Sequence, residues 1–449
     1  MLQTAGLILI AGPVIMAGFV AVLIAVNAPR VFLTIVLVSI AFLEWRPIVA
    51  LNTVKELGFY LGSIRVAPID VLAFVAIAAT AWLLLRNPRR IRPNVPAALL
   101  TLCVFIAVVF AINGLGLQEA VVYWRYWIYA LAFFWWAQAA FRRSPEFPSA
   151  PFVIGGLTAA LLWFVEVLRN GIGSADINLI DAYGNTQSSR PVTASLALMG
   201  LVAIIAALGA DWRWSPGRLI CLATLVPFVL LAQHRSVWTA GLAAGVSAAA
   251  LHWSKSRNKL TGVALSAIAT VVVLEVVRTL LESVQQVALS ATSTGTWNGR
   301  VTMWGESLSS VEGTGRIIVG QLLGALDPTS FEQAYPRGFS SHNMYIETFL
   351  RLGIVGVVLL VVLFLQAMRR SNKDVRLIVI PCMLAMLVYG ITYDWPPWTW
   401  AILGLSFALQ GRSSGRSGTG TRDTETPSSE LASRARRRRP QEQSTYSRA

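Results

Sequence analysis

The sequence predicts an all-α integral membrane protein, a polytopic bundle of 12–13 transmembrane helices with one large extracytoplasmic loop. Of its 449 residues 55% are hydrophobic and only 13% are charged, whereas a soluble domain carries roughly 25% charged residues. Apolar runs long enough to cross roughly 30 Å of hydrocarbon recur from Leu7 to Leu409, which excludes a secreted enzyme with one signal peptide. Because these runs lack the alternation of barrel strands, only helices satisfy the backbone in lipid.

Thirteen apolar segments form the predicted bundle, at 5–26, 31–43, 66–85, 96–113, 120–140, 151–168, 191–209, 217–233, 236–251, 260–278, 344–368, 375–393 and 396–410. The segment 31–43 is short for a span, which predicts a broken or an oblique helix. The chain thus divides into helices 1–10 (1–278), the large loop (279–343), the C-terminal helices (344–410) and a disordered, basic cytoplasmic tail (411–449).

Positive charge gives the orientation of the segments. Lys and Arg concentrate in alternate connections, near residues 30, 86–92, 142–143, 213–218, 255–259 and 369–376, and we assign these connections to the cytoplasm. The net charge of +15 then reflects topology in the cytoplasmic membrane, together with contact to anionic membrane lipids, and no nucleic-acid partner is predicted. The intervening connections, including 279–343, face outward.

The large loop is rich in aromatic residues with Gly and Pro between them, which predicts an ordered cap with a helix near 300–311. Metal chemistry is not indicated. The three cysteines, Cys103, Cys221 and Cys382, lie inside apolar runs without CxxC spacing, so neither a disulfide framework nor a zinc site is predicted.

Two arginines on the outer face are candidates for binding an anion. Arg235 follows His234 in a short polar turn between two apolar segments, and its five donors suit phosphate oxygens. An arginine that snorkels to the interface is the alternative. Arg300 lies near the start of the loop helix, where it adds to the positive end of the helix dipole, although a surface arginine explains it about as well.

A histidine at the mouth of an outer helix is the candidate base. His342 precedes the segment 344–368, where an imidazole can accept a proton from a hydroxyl at neutral pH. Asn343, beside it, is a candidate substrate ligand, and His234 is a second histidine of the same kind. A bystander role is the alternative for either histidine.

Three further charged residues reach the outer face. Asp394 lies at the outer end of the penultimate segment, where it can orient an Arg or a His or simply be hydrated in an aromatic belt. Arg125 and Arg190 are additional cations for a polyanionic head group, or interface anchors, and the anchor interpretation is preferred for Arg125.

In this order and topology, the motifs resemble the O-antigen ligase and polymerase superfamily, which transfers glycans from polyprenyl diphosphate carriers outside the cytoplasmic membrane. The resemblance rests on QHRSVW from Gln233, GRVTMW from Gly299, and SHNMYIE from Ser341 followed by LGIVG from Leu352. The family usually follows its loop helix with a Pro-x-x-Gly-x-Gly run; here Thr314 to Gly320 is offset and lacks the proline.

The resemblance implies that Arg235 and Arg300 bind the diphosphate, that His342 deprotonates the acceptor, and, more weakly, that Asp394 matches an acidic residue of the family. It also implies a polyprenyl diphosphate-linked glycan as donor and a lipid or glycan as acceptor. Two guanidinium groups can stabilise the leaving diphosphate, so no cofactor and no metal are predicted. A ligase, a polymerase of the same superfamily and, less favoured, a polytopic transporter are the alternatives.

Overall fold

Most of the described chain is helical, as its apolar segments predict. The computed structural model describes residues 16–45, 59–61, 64–91, 94–142, 144, 146–171, 178–180, 186–188, 190–209, 215–255, 295–309, 311, 313–320, 342–371 and 373–409, all within one compact unit. The predicted segment 260–278, most of the loop 279–343 and the tail 411–449 lie outside these residues.

The N-terminal helices are α1 (Met16–Asn27), α2 (Pro29–Leu43), α3 (Pro68–Arg86), α4 (Val95–Leu115), α5 (Leu117–Ala140) and α6 (Ser149–Asn170). A 3-10 turn (Pro88–Arg90) separates α3 from α4. The remaining helices are α7 (Ala194–Leu208), α8 (Pro216–Leu231), α9 (Arg235–Lys255), α10 (Gly295–Ser309), α11 (Thr314–Val319), α12 (Met344–Arg370), α13 (Lys373–Tyr389) and α14 (Thr399–Ala408). The loop helix predicted near 300–311 is therefore α10, which begins five residues earlier.

Two short hairpins lie in connections that the charge pattern assigns to the outer face. Strands β1 (Phe59–Leu61) and β2 (Ile64–Val66) pair antiparallel between α2 and α3. Strands β3 (Asn178–Ile180) and β4 (Thr186–Ser188) do so between α6 and α7. The sequence pattern did not predict them, because three-residue strands are too short to show an alternation.

Several helix starts follow from local chemistry. Proline opens α2, α3 and α8, where its missing N–H costs nothing. The side chains of Asn94, Thr193, Ser215 and Asn343 accept backbone N–H groups in the first turn of α4, α7, α8 and α12. The last of these caps places the residue before it, His342, at the entrance to α12.

The predicted membrane class is confirmed. Among the described residues α3, most of α4, α6 and α12 are each long and apolar enough to cross a membrane. Helices α1 and α2 meet at 119° around Ala28, which makes 31–43 part of a bent pair. Shorter apolar helices are α7, α8, α14 and most of α13. The total of 12–13 spans remains a prediction.

Helix packing has the character expected in lipid. Apolar side chains remain on the outer surface; Phe74 and Val246, for example, are each 69% exposed. Small residues allow close approach between helices, and a Cβ at Gly404 of α14 would overlap the Phe134 carbonyl of α5. Helix α9 packs on α13, α12 packs on α13, and α7 packs on α8. These neighbours bring the turns at their ends to one place.

Candidate functional site

Polar side chains from four parts of the chain converge on Tyr393, which lies in the loop between α13 and α14. The Arg300 Cζ atom is 4.6 Å from the centroid of the tyrosine ring. The rings of His342 and His234 lie 6.2 Å and 6.5 Å from it, both nearly edge-on. Arg190 forms a side-chain hydrogen bond with Tyr393. The structure therefore brings four predicted site residues together, and we call these five side chains the Tyr393 cluster.

Arg235 approaches the Tyr393 cluster from the turn between α8 and α9. In this turn Gln233 is buried and adopts a left-handed backbone with φ of 60°, so that the chain reverses direction within three residues. Arg235 opens α9 and lies near enough to Arg190 to influence its charge. The tight polar turn predicted from the sequence thus places His234 in the Tyr393 cluster and Arg235 beside it.

The hydrogen bonds of His234 define its tautomer and its role. The Arg190 Nη1 atom lies 3.4 Å from His234 Nδ1, and arginine can only donate, so Nδ1 accepts. The Nε2–H then donates to the Val192 carbonyl oxygen at 2.9 Å. Burial, then the charge of Arg190, lowers the pKa of His234 to about 3. His234 is therefore neutral and acts by holding Arg190.

Three guanidinium groups give this site its electrostatic character. Burial lowers the pKa of Arg190, Tyr393 counteracts that change, and Arg235 and Arg300 lower the pKa further by repulsion. Like charges held this close are favourable only when an anion joins them. The geometry therefore suits a ligand with two or more negative charges, such as a diphosphate.

His342 has the placement and protonation state of a base. Its side chain is exposed, and its backbone is left-handed with φ of 49°, which is uncommon outside glycine. Surrounding protein lowers the pKa of the imidazole, Arg300 lowers it further, and Glu347 acts in the opposite direction. The ring is therefore neutral at pH 7 and can accept a proton.

Hydrogen bonds from α12 to the α13–α14 loop fix His342 beside Tyr393. The Asn343 Oδ1 atom accepts the N–H groups of Tyr345 and Ile346 at 3.0 and 3.1 Å. Its Nδ2 donates to the Ile391 carbonyl at 2.8 Å, and the Met344 N–H donates to Gly390 at 2.9 Å. The structure thus gives Asn343 a capping and bracing role, and its predicted contact with substrate remains a prediction.

Helix α11 docks on a break in α12. At Gly353 the backbone leaves the helical region with φ of 64°, and Gly320, just after α11, also has a positive φ of 65°. A Cβ at Gly320 would lie 2.5 Å from the Arg351 carbonyl carbon, and one at Gly353 would lie 2.5 Å from Gly320 N. The first glycine of the LGIVG motif therefore serves to seat the segment that follows α10 and Arg300.

An ion pair lies one turn into α12. The Arg351 Nε atom donates to Glu347, and its Nη1 donates to the Tyr123 carbonyl of α5. The Arg351 guanidinium also lies 5.8 Å from the Trp124 ring. Glu347 is thereby held between Arg351 and His342, where its charge favours the imidazolium that forms when His342 accepts a proton.

The other two predicted residues have different surroundings. Arg125 lies 3.2 Å from Asp70 of α3, which also accepts a hydrogen bond from Tyr129. Arg125 therefore has an ion-pair partner on a neighbouring helix, and its interpretation as an interface anchor stays a prediction. Asp394 follows Tyr393 directly and lies within electrostatic reach of Tyr389, so it borders the cluster. The binding roles predicted for both residues remain predictions.

Sequence reasoning missed two residues of this region. Tyr393 is not among the residues predicted from the sequence, although it contacts the four other members of the cluster. Glu44, at the end of α2, accepts hydrogen bonds from Thr193 and Ser195 at 3.0 Å each, and its burial raises the carboxyl pKa. An isolated acid at the end of an apolar run was the only signal for Glu44.

No three His, Cys, Asp or Glu side chains come together as a metal site within the part of the chain that the structure describes. The donors that do converge are guanidinium groups and imidazoles. Their chemistry is the binding of an anion next to a neutral base.

Comparison with known protein families gives one match. Residues 219–361 match the family model Wzy_C, described as O-antigen ligase. The matched region extends from α8 to α12 and contains His234, Arg235, Arg300 and His342, whereas Arg190 and Tyr393 lie outside it. A comparison with curated proteins gives no match.

Proposed function

Because residues 219–361 match the O-antigen ligase family model, we propose that the chain transfers a glycan from a polyprenyl diphosphate carrier to an acceptor hydroxyl. The observation that carries the proposal is the convergence of Arg190, Arg300 and a neutral His342 around Tyr393, partly within the matched region. The reaction takes place at the outer face of the cytoplasmic membrane, and undecaprenyl diphosphate is the carrier expected there.

The arginines bind the diphosphate of the donor. Arg190, Arg235 and Arg300 are close enough for their charges to interact, and guanidinium groups pair with phosphate oxygens through two parallel hydrogen bonds. The charge that develops on the leaving oxygen is stabilised by these cations at positions that already exist before the reaction. The reaction as written requires no cofactor.

His342 takes the proton of the acceptor. The acceptor oxygen forms a bond to the anomeric carbon while the bond from that carbon to the diphosphate oxygen breaks, and the proton passes to His342. The carrier leaves as a diphosphate anion on the arginines, and the imidazolium later returns its proton to water. Displacement from the opposite face inverts the anomeric centre.

The membrane holds the rest of the donor. The polyprenyl tail lies along apolar helix surfaces such as those around Phe74 and Phe105, which are 69% and 64% exposed. The acceptor is a lipid anchor if the enzyme is a ligase and a second carrier-linked glycan if it is a polymerase.

The test is a transfer assay with purified full-length protein in lipid nanodiscs. A glycan on undecaprenyl diphosphate is supplied with EDTA, and a lipid acceptor and a second carrier-linked glycan are offered in separate reactions. Transfer to the lipid identifies a ligase, and elongation of the carrier-linked glycan identifies a polymerase. Transfer to neither acceptor would contradict the proposal, and movement of intact donor across vesicles would favour a transporter.

A further inference from the structure

We infer that Tyr393 is a positioning residue, which holds Arg190 and Arg300 apart and in place for the diphosphate. The inference rests on the proposed function of the site and extends it to a residue outside the matched family region. Its starting point is geometric. One side chain contacts one arginine through its hydroxyl and another through its ring, while two histidines border the ring edges.

The two contacts use different chemistry on the same phenol. The Arg300 guanidinium lies 4.6 Å from the ring centroid, within the range in which the negative face of an aromatic ring attracts a cation. Arg190 can only donate hydrogen bonds, so the tyrosine hydroxyl accepts from it. A single rigid side chain therefore sets the position of both guanidinium groups.

These contacts counteract repulsion in the empty site. Arg235 and Arg300 disfavour the charge on Arg190, whereas Tyr393 favours it. Without a neutral partner between them, the flexible arginine side chains would move apart toward water. The tyrosine lowers the cost of keeping the cations together before the donor arrives, which is the preorganisation that strengthens binding.

A neutral partner has an advantage over a carboxylate at this position. A carboxylate would pair with a guanidinium in a fork and occupy the donors that phosphate oxygens need. The phenol accepts one hydrogen bond and offers its ring face, so most donors of both arginines remain available. Tyr393 therefore holds the arginines without competing with the diphosphate.

The support behind Tyr393 is rigid. Its ring stacks on Tyr389 with centroids 5.1 Å apart. The loop is tied to α12 through Gly390 and Ile391, and the Trp395 Nε1 atom donates to the Met386 carbonyl at 2.6 Å. Because Tyr393 is held firmly, its contacts can restrict the motion of the flexible Arg190 and Arg300 side chains.

The experiment separates the hydroxyl from the ring and the positioning role from folding. The probe is undecaprenyl diphosphate without glycan, and its dissociation constant is measured for the full-length protein in nanodiscs. The variants are Tyr393→Phe, which keeps the ring, and Tyr393→Leu, which removes both contacts. The matched control is Tyr345→Phe, which loses a hydroxyl that donates to the Leu387 carbonyl at 2.7 Å. Donor KM and kcat are measured for each variant in the transfer assay.

We expect Tyr393→Phe to weaken binding about tenfold and Tyr393→Leu about a hundredfold, the losses of one and of both contacts. Tyr345→Phe should bind within about twofold of wild type, since its hydroxyl does not touch the arginines. In the Tyr393 variants KM should rise by the same factors while kcat changes less than about threefold, a pattern that general loss of folded protein does not produce.

Two results would overturn the inference. If Tyr393→Leu binds the probe as wild type does while Arg300→Ala loses binding, the diphosphate site stands and the role of Tyr393 is wrong. If the wild type itself does not bind the probe, both the inference and the proposed function fail. Equal losses in Tyr345→Phe and Tyr393→Phe would assign Tyr393 a purely structural role and also contradict the inference.

Discussion

At the scale of single residues, the two histidines of the Tyr393 cluster differ in burial and in hydrogen bonding. His234 is buried and neutral, with Nδ1 engaged by Arg190 and Nε2 by the Val192 carbonyl. His342 is exposed, and its strained backbone holds the ring next to Tyr393. His342 is therefore the histidine of this pair that we expect to exchange a proton with an incoming hydroxyl.

This difference predicts the pH dependence of transfer. A base acts only when it is unprotonated, and partial desolvation by the surrounding protein, together with the charge of Arg300, holds the pKa of His342 below its ordinary value of about 6.5. The acidic decrease in rate should therefore have its midpoint below about pH 6.5. His234, with a pKa of about 3, does not titrate in this window.

The measurement is a kcat/KM profile for the donor between pH 4.5 and 8.5. The residual activity of His342→Ala serves as the control, because its profile should lack the acidic decrease. A decrease with its midpoint above about pH 6.5 would contradict the assignment of His342 as the base.

At the scale of elements, the contact between α11 and α12 positions the segment that carries Arg300. The break at Gly353 receives Gly320, and both glycines have positive φ angles and neighbours too close for a side chain. The segment Thr314 to Gly320 lacks the Pro-x-x-Gly-x-Gly run of the family that the motifs resemble, yet Gly320 still reaches α12. The glycine contact fixes the end of this segment.

Gly353→Ala should therefore separate α11 from α12. We expect a cost of about 2 kcal/mol from the left-handed backbone alone, a lower melting temperature and at least a tenfold loss of transfer. Gly305→Ala is the control, because α10 has open space around that position and alanine favours a helix. Equal melting temperatures and activities of the two variants would show that the contact is dispensable.

At the scale of the whole molecule, the cluster and the basic connections lie at opposite ends of the same helices. Helix α12 begins beside His342 and ends at Arg370, and α13 begins at Lys373 and ends before Tyr393. Under the positive-inside rule we expect the basic ends to face the cytoplasm and the cluster to face outward. The basic residues that determine the orientation thus lie at one end of these helices, and the Tyr393 cluster lies at the other.

Cysteine labelling tests this orientation. With Cys103, Cys221 and Cys382 replaced by serine, Ile391→Cys should react in intact cells with a maleimide that cannot cross the membrane. Ser371→Cys, at the other end of α12, should react only after permeabilisation. Both residues have accessible surface, so burial does not explain a difference. The opposite pattern would place the cluster in the cytoplasm.

The sequence was sufficient for the membrane class, for α10 and for selecting Arg235, Arg300 and His342, which the structure brings near one another; their roles stay predictions. These features are predictable because hydropathy and charge can be read from short segments, and because each of the three residues lies within a contiguous motif. Tyr393 was missed because its role depends on contacts with residues up to about 200 positions away. The two hairpins were missed because three-residue strands carry no periodic signal. The ion pair of Arg125 could not be predicted because its partner, Asp70, lies on another helix.

The central claim is that arginines hold the diphosphate while His342 carries out the chemistry, and donor binding measured beside single-turnover transfer tests it most directly. His342→Ala should bind the glycan-linked donor within about twofold of wild type and transfer it at under about 1% of the rate. Arg300→Ala should bind it at least tenfold more weakly. Transfer by His342→Ala at the wild-type rate, or unchanged donor binding by Arg300→Ala, would contradict the claim.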